Sequence, residues 1–304
     1  MRAYVLGRLA QLAVVMVGIS IITFVLTYVL GDPLAVLLPL DAPREQREAY
    51  RHQLGLDQPL PIQYARFAAG ALHGDFGDSF LMKKPAAALV LERFPATMQL
   101  ALAGMAFAML VALPLGTLAA YRRRSLADSL CTVLAVAGQA VPIYWLGLML
   151  IIVFAVQLRL LPASGYGRLD NFVLPTIALG SFLAPITMRL VRSSMIDVLN
   201  QDYIRPARTK GLSEAGVLLA HAARNAALPV VSVLGLQFGQ LLGGAVVTET
   251  VFSWPGVASF TVDSISNADY PVVQAAVVTL AALISLVNLG VDLVIGVLDP
   301  RIRQ

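Results

Sequence analysis

The chain has 304 residues, 58% of them hydrophobic and only 13% charged, a balance that no soluble domain of this length can keep from water. Several runs approach or exceed the roughly 18–20 apolar residues that span a bilayer, and they are too long and too rich in Leu, Val and Ala for barrel strands. The fold class is an all-α polytopic membrane protein, and the net charge of +4 does not indicate a nucleic-acid partner, because the basic residues sort by loop as membrane orientation requires.

Six spans are predicted, at about 9–30, 98–121, 130–158, 173–195, 229–250 and 273–297. Arg2 and Arg8 precede the first run, which is longer than a signal-peptide core and has no small-x-small cleavage site after it. Residues 1–30 therefore read as a retained first helix. Residues 31–97 form an external loop with helices of its own. Pro43–Leu54 carries Arg/Glu pairs at three- and four-residue spacing, and Gly55-Leu56-Asp57-Gln58-Pro59 is a stop and a turn. Leu60–Leu72 has the pattern of an amphipathic helix on the membrane surface, with Tyr64 and Phe67 as interface anchors, and a glycine-rich turn follows at Gly74–Ser79. A five-helix core, 98–304, completes the chain and carries one polar loop, 196–228. Pro142 interrupts the third span and predicts a kink or tilt there. The single cysteine, Cys131, rules out an intrachain disulfide.

Loop charge gives the orientation. One set of segments holds Arg2, Arg8, Arg122-Arg123-Arg124, Arg189, Arg192, Arg205, Arg208, Lys210, Arg224, Arg301 and Arg303, with few acids. The opposite set is dominated by 31–95, where seven Lys/Arg meet eight Asp/Glu. Both termini are predicted on the cytoplasmic side.

No catalytic pattern is present. The chain has no G-x-x-x-x-G-K-[ST], so no phosphate cradle, and no H-E-x-x-H or His/Cys/acid cluster with metal spacing. His52, His73 and His221 all lie in loops, so no span offers a histidine base for intramembrane hydrolysis. No cofactor is expected on this chain.

The loop 196–228 is the strongest positive signal. Tyr203–Lys210 reads as a short helix, since Pro206 is tolerated in a first turn, and Gly211 can take the left-handed conformation that ends it. Ser213 is an N-cap for a second helix, with Glu214 favourable in its first turn. Composition alone fits two readings: a docking knuckle for a soluble partner, or a basic loop against anionic headgroups.

The order of residues adds more. The segment resembles the coupling-loop signature of ABC importer permeases, which reads Glu-Ala-Ala, three residues, Gly, nine residues, Ile, one residue, Leu-Pro. Aligned on Gly211, the first positions fall on Arg205, Pro206 and Ala207 and the last on His221, Ala223 and Arg224, so only Ala207 and Gly211 match that general form. The version of the dipeptide/oligopeptide/nickel branch fits better, through Asp202, Tyr203, Arg205, Ala207, Arg208, Lys210, Gly211, His221, Arg224, Asn225 and Pro229. Similar pieces recur along the chain at Gly31-Asp32-Pro33, Leu54–Leu60, Gly74–Gly77, Arg192–Met195, Phe252–Gly256, Asp269–Gln274 and Asp299–Arg303. The long loop after the first span resembles the first permease of that branch.

The resemblance implies a type I ABC importer permease of six helices in a bacterial inner membrane. It implies a second homologous permease that completes the pore, two cytoplasmic ATPases that hold ATP and Mg, and an external solute-binding protein. ATPase coupling would then fall to Tyr203, Arg205, Ala207, Arg208, Lys210, Gly211, Glu214, His221, Arg224 and Asn225.

Gly235, Gly239 and Gly243 recur at four-residue spacing on the fifth span, with Gly244 and Ala245 beside them. Small residues on one face let helices approach closely in lipid, which fits a seam with the second permease, a pore-lining helix or packing inside this subunit. Gln237 and Gln240 flank the stripe and suit either a hydrated path or an interhelical hydrogen bond. Glu249 ends that span, and Trp254-Pro255-Gly256 beyond it reads as a loop at the external mouth of the pore or an interfacial anchor. Asn288 and Asp292, four apart on the sixth span, fit a structural bond to a neighbouring helix better than an ion path.

A self-sufficient secondary transporter or channel is the rival class. It would call for internal repeats and broken helices around a midplane site, and neither is evident. Relatives in the resembled branch carry dipeptides, longer peptides, glutathione, nickel or metal chelates. The spans hold no His/Cys/Met cluster for a naked metal, so di- or oligopeptides are favoured.

Overall fold

The computed structural model describes residues 2–29, 34, 38–39, 42–53, 55–209 and 213–298. Among the described residues the chain is helical, with one isolated bridge, Asp78 to Pro85, and no strand. Among the described residues, five helices are long and apolar enough to cross a membrane. A further pair, Leu126–Ala140 with Ile143–Gln157, is bent by 96° and makes a sixth span if the two halves count as one. The chain divides into two compact units, one of residues 1–97 and 255–286, the other of 98–254 and 287–304.

The first unit opens with α1 (Arg2–Phe24), which continues into a π-helical turn, Val25–Val29. It is apolar on all sides and leaves Val14, Val17 and Ile22 exposed, as a lipid-facing helix does. Next come α2 (Arg44–Gln53) and α3 (Leu60–Leu72). Gly55 separates them at φ +69, its N–H bonded to His52 O at 3.1 Å, which is the left-handed glycine stop the sequence announces. Tyr64 and Phe67, expected as interface anchors, lie half-buried against Phe24 of α1, with ring centroids 5.5 and 6.0 Å away. Tyr64 Oη also shares a 2.8 Å hydrogen bond with Ser20 Oγ.

A tight turn then leads into α4 (Ala86–Tyr121), which begins three turns before the predicted span. Its first residues Ala86, Leu89 and Val90 are buried with Val257 and Phe260 of α11 (Val257–Ser266) and with Val272, Ala275 and Ala276 at the start of α12 (Tyr270–Leu298). Asp269, 2% exposed, locks the turn: Ser79 Oγ donates to it at 2.5 Å and the Phe80 N–H at 2.9 Å.

The second unit contains the rest of α4, then α5 (Leu126–Ala140), α6 (Ile143–Leu150, followed by a π-helical turn Ile151–Gln157) and α7 (Leu169–Leu199). The 96° bend falls at Val141-Pro142, where proline starts α6 and cannot continue α5. α7 has the most buried apolar window of the candidate spans, 56%, and α5, α6 and α10 (Ala223–Val251) all touch it. α4 meets α7 backbone to backbone. A Cβ on Gly180 would lie 2.6 Å from the carbonyl oxygen of Gly104, and one on Gly116 would lie 2.7 Å from that of Met188. With no hydrophobic effect between helices in lipid, such close approach is what small residues provide.

Candidate functional site

The segment after α7 is a set of short helices resting on apolar residues. α7 ends at Asn200, and two turn bonds, Gln201 N–H to Val198 O at 3.0 Å and Ile204 N–H to Gln201 O at 3.1 Å, lead into α8 (Ile204–Thr209). Ser213 sits in extended backbone and accepts from the Gly216 N–H at 3.2 Å, so it caps α9 (Glu214–Gly216) as its type predicts. A π-helical turn, Val217–Ala222, joins α9 to α10.

Beneath these elements lies one apolar cluster. Ile204, Val217 and Ala222 are fully buried, and they pack with Val191, Met195 and Val198 of α7, Ala226 and Val230 of α10, and Ala120 at the end of α4. Above it, Gln201, Asp202, Tyr203, Pro206, Thr209, Ser213 and Glu214 are exposed. The Asn225 amide donates to Tyr203 Oη at 2.6 Å, tying the start of α10 to the residue before α8. Ile204 on α8 and Val217 and Ala222 before α10 are thus anchored on the same apolar residues of α7 and α10.

Of the residues expected to couple, Tyr203, Glu214 and Asn225 are exposed, and Tyr203 and Asn225 are joined by their hydrogen bond. Lys210 and Gly211 lie outside the described residues. Arg205, Ala207, Arg208, His221 and Arg224 belong to the described helices, but their side chains lie outside the described atoms. Ile204, Val217 and Ala222 were missed. The signal available was their apolar character within an otherwise polar loop.

α10 carries the second group. Gly235 is buried, and a Cβ there would collide with Val291 of α12, so it is a contact inside this chain. Gly239 is half-buried, whereas among the described residues no atom outside the helix's own turn lies within 4 Å of where a Cβ would stand on Gly243 or Gly244. Gln237 is 3% exposed and its Oε1 accepts from Thr187 Oγ1 of α7 at 2.9 Å, while its Nε2 is buried without a partner among the described residues. Gln240 points to the exposed side of the helix. Glu249 is fully buried. Trp254 is 1% exposed, held edge-on by Tyr166 and Phe172 with centroids 4.9 and 4.6 Å away. The Asn288 Oδ1 is buried without a partner among the described residues.

An ion pair absent from the sequence reading joins α5 to α7. Arg192 Nε and Nη2 donate to Asp128 Oδ1 and Oδ2 at 2.6 and 2.8 Å. The local signal was Ser125-x-x-Asp128, a capping-box spacing: Ser125 Oγ accepts from the Asp128 N–H at 3.4 Å.

Comparison with known proteins agrees with this architecture. Residues 112–304 match the family described as binding-protein-dependent transport system inner membrane component, and residues 1–101 match its N-terminal counterpart. The chain is 40% identical over 337 aligned positions to the dipeptide transport system permease protein of Escherichia coli (strain K12), covering 100% of this chain and 99% of that one. It is also 40% identical over 301 positions to the glutathione transport system permease protein of Salmonella paratyphi A (strain ATCC 9150 / SARB42), covering 99% and 98%. A solved structure titled as an amino acid ABC transporter with histidines superposes with a TM-score of 0.50 at 14% identity, over 70% of this chain and 94% of that one, and shares the fold. The chain belongs to the family of inner-membrane components of binding-protein-dependent transport systems: it is a multi-pass permease subunit of an ABC importer and not itself an ATPase.

Proposed function

We propose that this chain forms a translocation path together with a second related permease and that residues 201–225 dock on a cytoplasmic ATPase. Two such ATPases would hold ATP and Mg, and an external solute-binding protein would deliver substrate. Both termini lie in the cytoplasm in this reading. The first helix, 1–30, leads into the external segment 31–97, and the core 98–304 carries the path. The observation that carries it is the Tyr203–Asn225 platform: an exposed polar surface on a fully buried base that is continuous with α7 and α10. Arg205, Ala207, Arg208, Lys210, Gly211, Glu214, His221 and Arg224 complete the docking surface. Cysteine at Thr209 or Ser213, both exposed, tests this in the assembled complex. Each is expected to cross-link to the ATPase, and absence of cross-links from both positions refutes the docking.

The subunit seam is proposed at Gly243 and Gly244, where space is open, rather than at Gly235, which Val291 already closes. Gln240, Glu249 and Trp254 then belong to the part of α10 and its exit that lies toward the outside.

The substrate is proposed to be a di- or oligopeptide; the Escherichia coli relative is named for dipeptide transport. One observation favours glutathione as a second reading. The dipeptide relative aligns over 337 positions against 304 residues here, so at least 33 of its positions have no counterpart, whereas the glutathione relative aligns over 301. Uptake of labelled dipeptide and labelled glutathione by vesicles carrying the complex and its binding protein separates the two.

A further inference from the structure

The Asp128–Arg192 pair has a geometry that packing alone does not require. Asp128 is 6% exposed, and its carboxylate takes three donors: Arg192 Nε, Arg192 Nη2 and the backbone N–H of Arg124 at 2.9 Å. Arg124 lies at φ +63, so the chain turns sharply before Ser125 caps α5. The carboxylate thus fixes three things at once: the arginine turn, the start of α5 and the last turns of α7. Those turns of α7 also carry Val191, Met195 and Val198, which seat Ile204 and Val217 of the docking segment.

The pair is half-buried, Asp128 inside and the Arg192 side chain 30% exposed, so desolvating the carboxylate offsets much of the attraction and the pair adds little net stability over apolar side chains of similar volume. What it adds is direction. The two parallel bonds of a guanidinium to a carboxylate need the two planar groups edge to edge, so moving α7 along α5 strains the pair and favours one relative placement of the helices.

We propose that Asp128 and Arg192 are positioning residues for energy coupling: their bidentate pair sets the register of α7 on α5, and through the buried cluster it sets where the docking segment stands. The proposal rests on the docking reading above. Neither residue touches substrate or ATPase in it.

The test uses the complete importer in vesicles, with three readouts: complex yield, thermal midpoint and substrate taken up per ATP hydrolysed. The double variant D128L/R192M replaces the pair with apolar side chains. It is expected to assemble with a near wild-type midpoint and to show at least a tenfold lower uptake per ATP. R192K keeps the charge but loses the planar fork. It is expected to assemble normally with a ratio lowered about three- to tenfold. A wild-type ratio in either variant overturns the proposal and leaves the pair a helix tie only. Should the double variant fail to assemble, R192K decides alone, and an unchanged ratio there is the refuting result. A wild-type complex without ATP-driven uptake or without cross-links at Thr209 and Ser213 would instead refute the docking reading.

Discussion

Ile204→Ala is the sharpest test of how the docking segment is held. Ile204 is fully buried and lies in the same cluster as Val217, Ala222, Val191, Met195 and Val198. The substitution deletes three carbons, worth about 2.4 kcal/mol at roughly 0.8 kcal/mol each, and the cavity left behind raises the cost into the range of about 2–5 kcal/mol. At about 1.4 kcal/mol per tenfold, a cost near 3 kcal/mol increases the locally open population of the segment roughly a hundredfold. The expected result is rapid limited proteolysis within 201–216 and a loss of ATPase co-purification, with the membrane helices still inserted. Thr209→Ala, on the exposed side of the same helix, removes only a 3.0 Å bond to Pro206 O and should change proteolysis and docking little. If Ile204→Ala resists protease as the wild type does and retains the ATPase, the segment is not held from beneath and the rigid-platform reasoning fails.

Three further outcomes are expected. Trp254→Ala removes a ring held between Tyr166 and Phe172 and should cost about 3–5 kcal/mol, read as a lower thermal midpoint of the purified complex; an unchanged midpoint contradicts its role as an anchor. Gly235→Leu drives a side chain into Val291 and should impair the folding of this chain itself, whereas Gly243→Leu should leave the single chain folded and reduce recovery of the permease pair; equal behaviour of the two removes the seam assignment. An impermeant thiol reagent on intact spheroplasts should label Ala42→Cys and not Ser213→Cys, and the opposite pattern reverses the orientation.

The parts of the fold set by local chemistry were legible from the residues. Gly55 ends one helix and Pro59 precedes the next, at the positions their φ preferences dictate. Ser213 caps where its side chain predicts, and Pro142 marks the break that becomes a 96° bend. Contacts between distant residues were not legible. Gly235 belongs to a stripe that fits an intersubunit seam as well as an internal one, and only Val291, on another helix, distinguishes them. The backbone crossing of α4 and α7 runs through Gly104, Gly116 and Gly180, which follow no common spacing and so form no visible stripe. Tyr64 and Phe67 have the composition of an interface belt, and their packing on Phe24, some forty residues away, left no mark in the local pattern.

The proposed docking segment shows why the polar residues of a motif tell less than the apolar ones between them. Tyr203, Glu214 and Asn225 are exposed, and exposed side chains alone fit a headgroup-binding loop equally well. A loop resting on lipid headgroups has no reason to bury Ile204, Val217 and Ala222 completely, since ordering each costs backbone and side-chain entropy that a solvated loop keeps. That entropy is recovered through contact with α7, α10 and Ala120, the elements that would have to move during transport. In the proposed reading the basic residues set the segment's side of the membrane and the apolar ones its stiffness. Coupling needs both, because a charged but slack loop would absorb a partner's motion instead of passing it on.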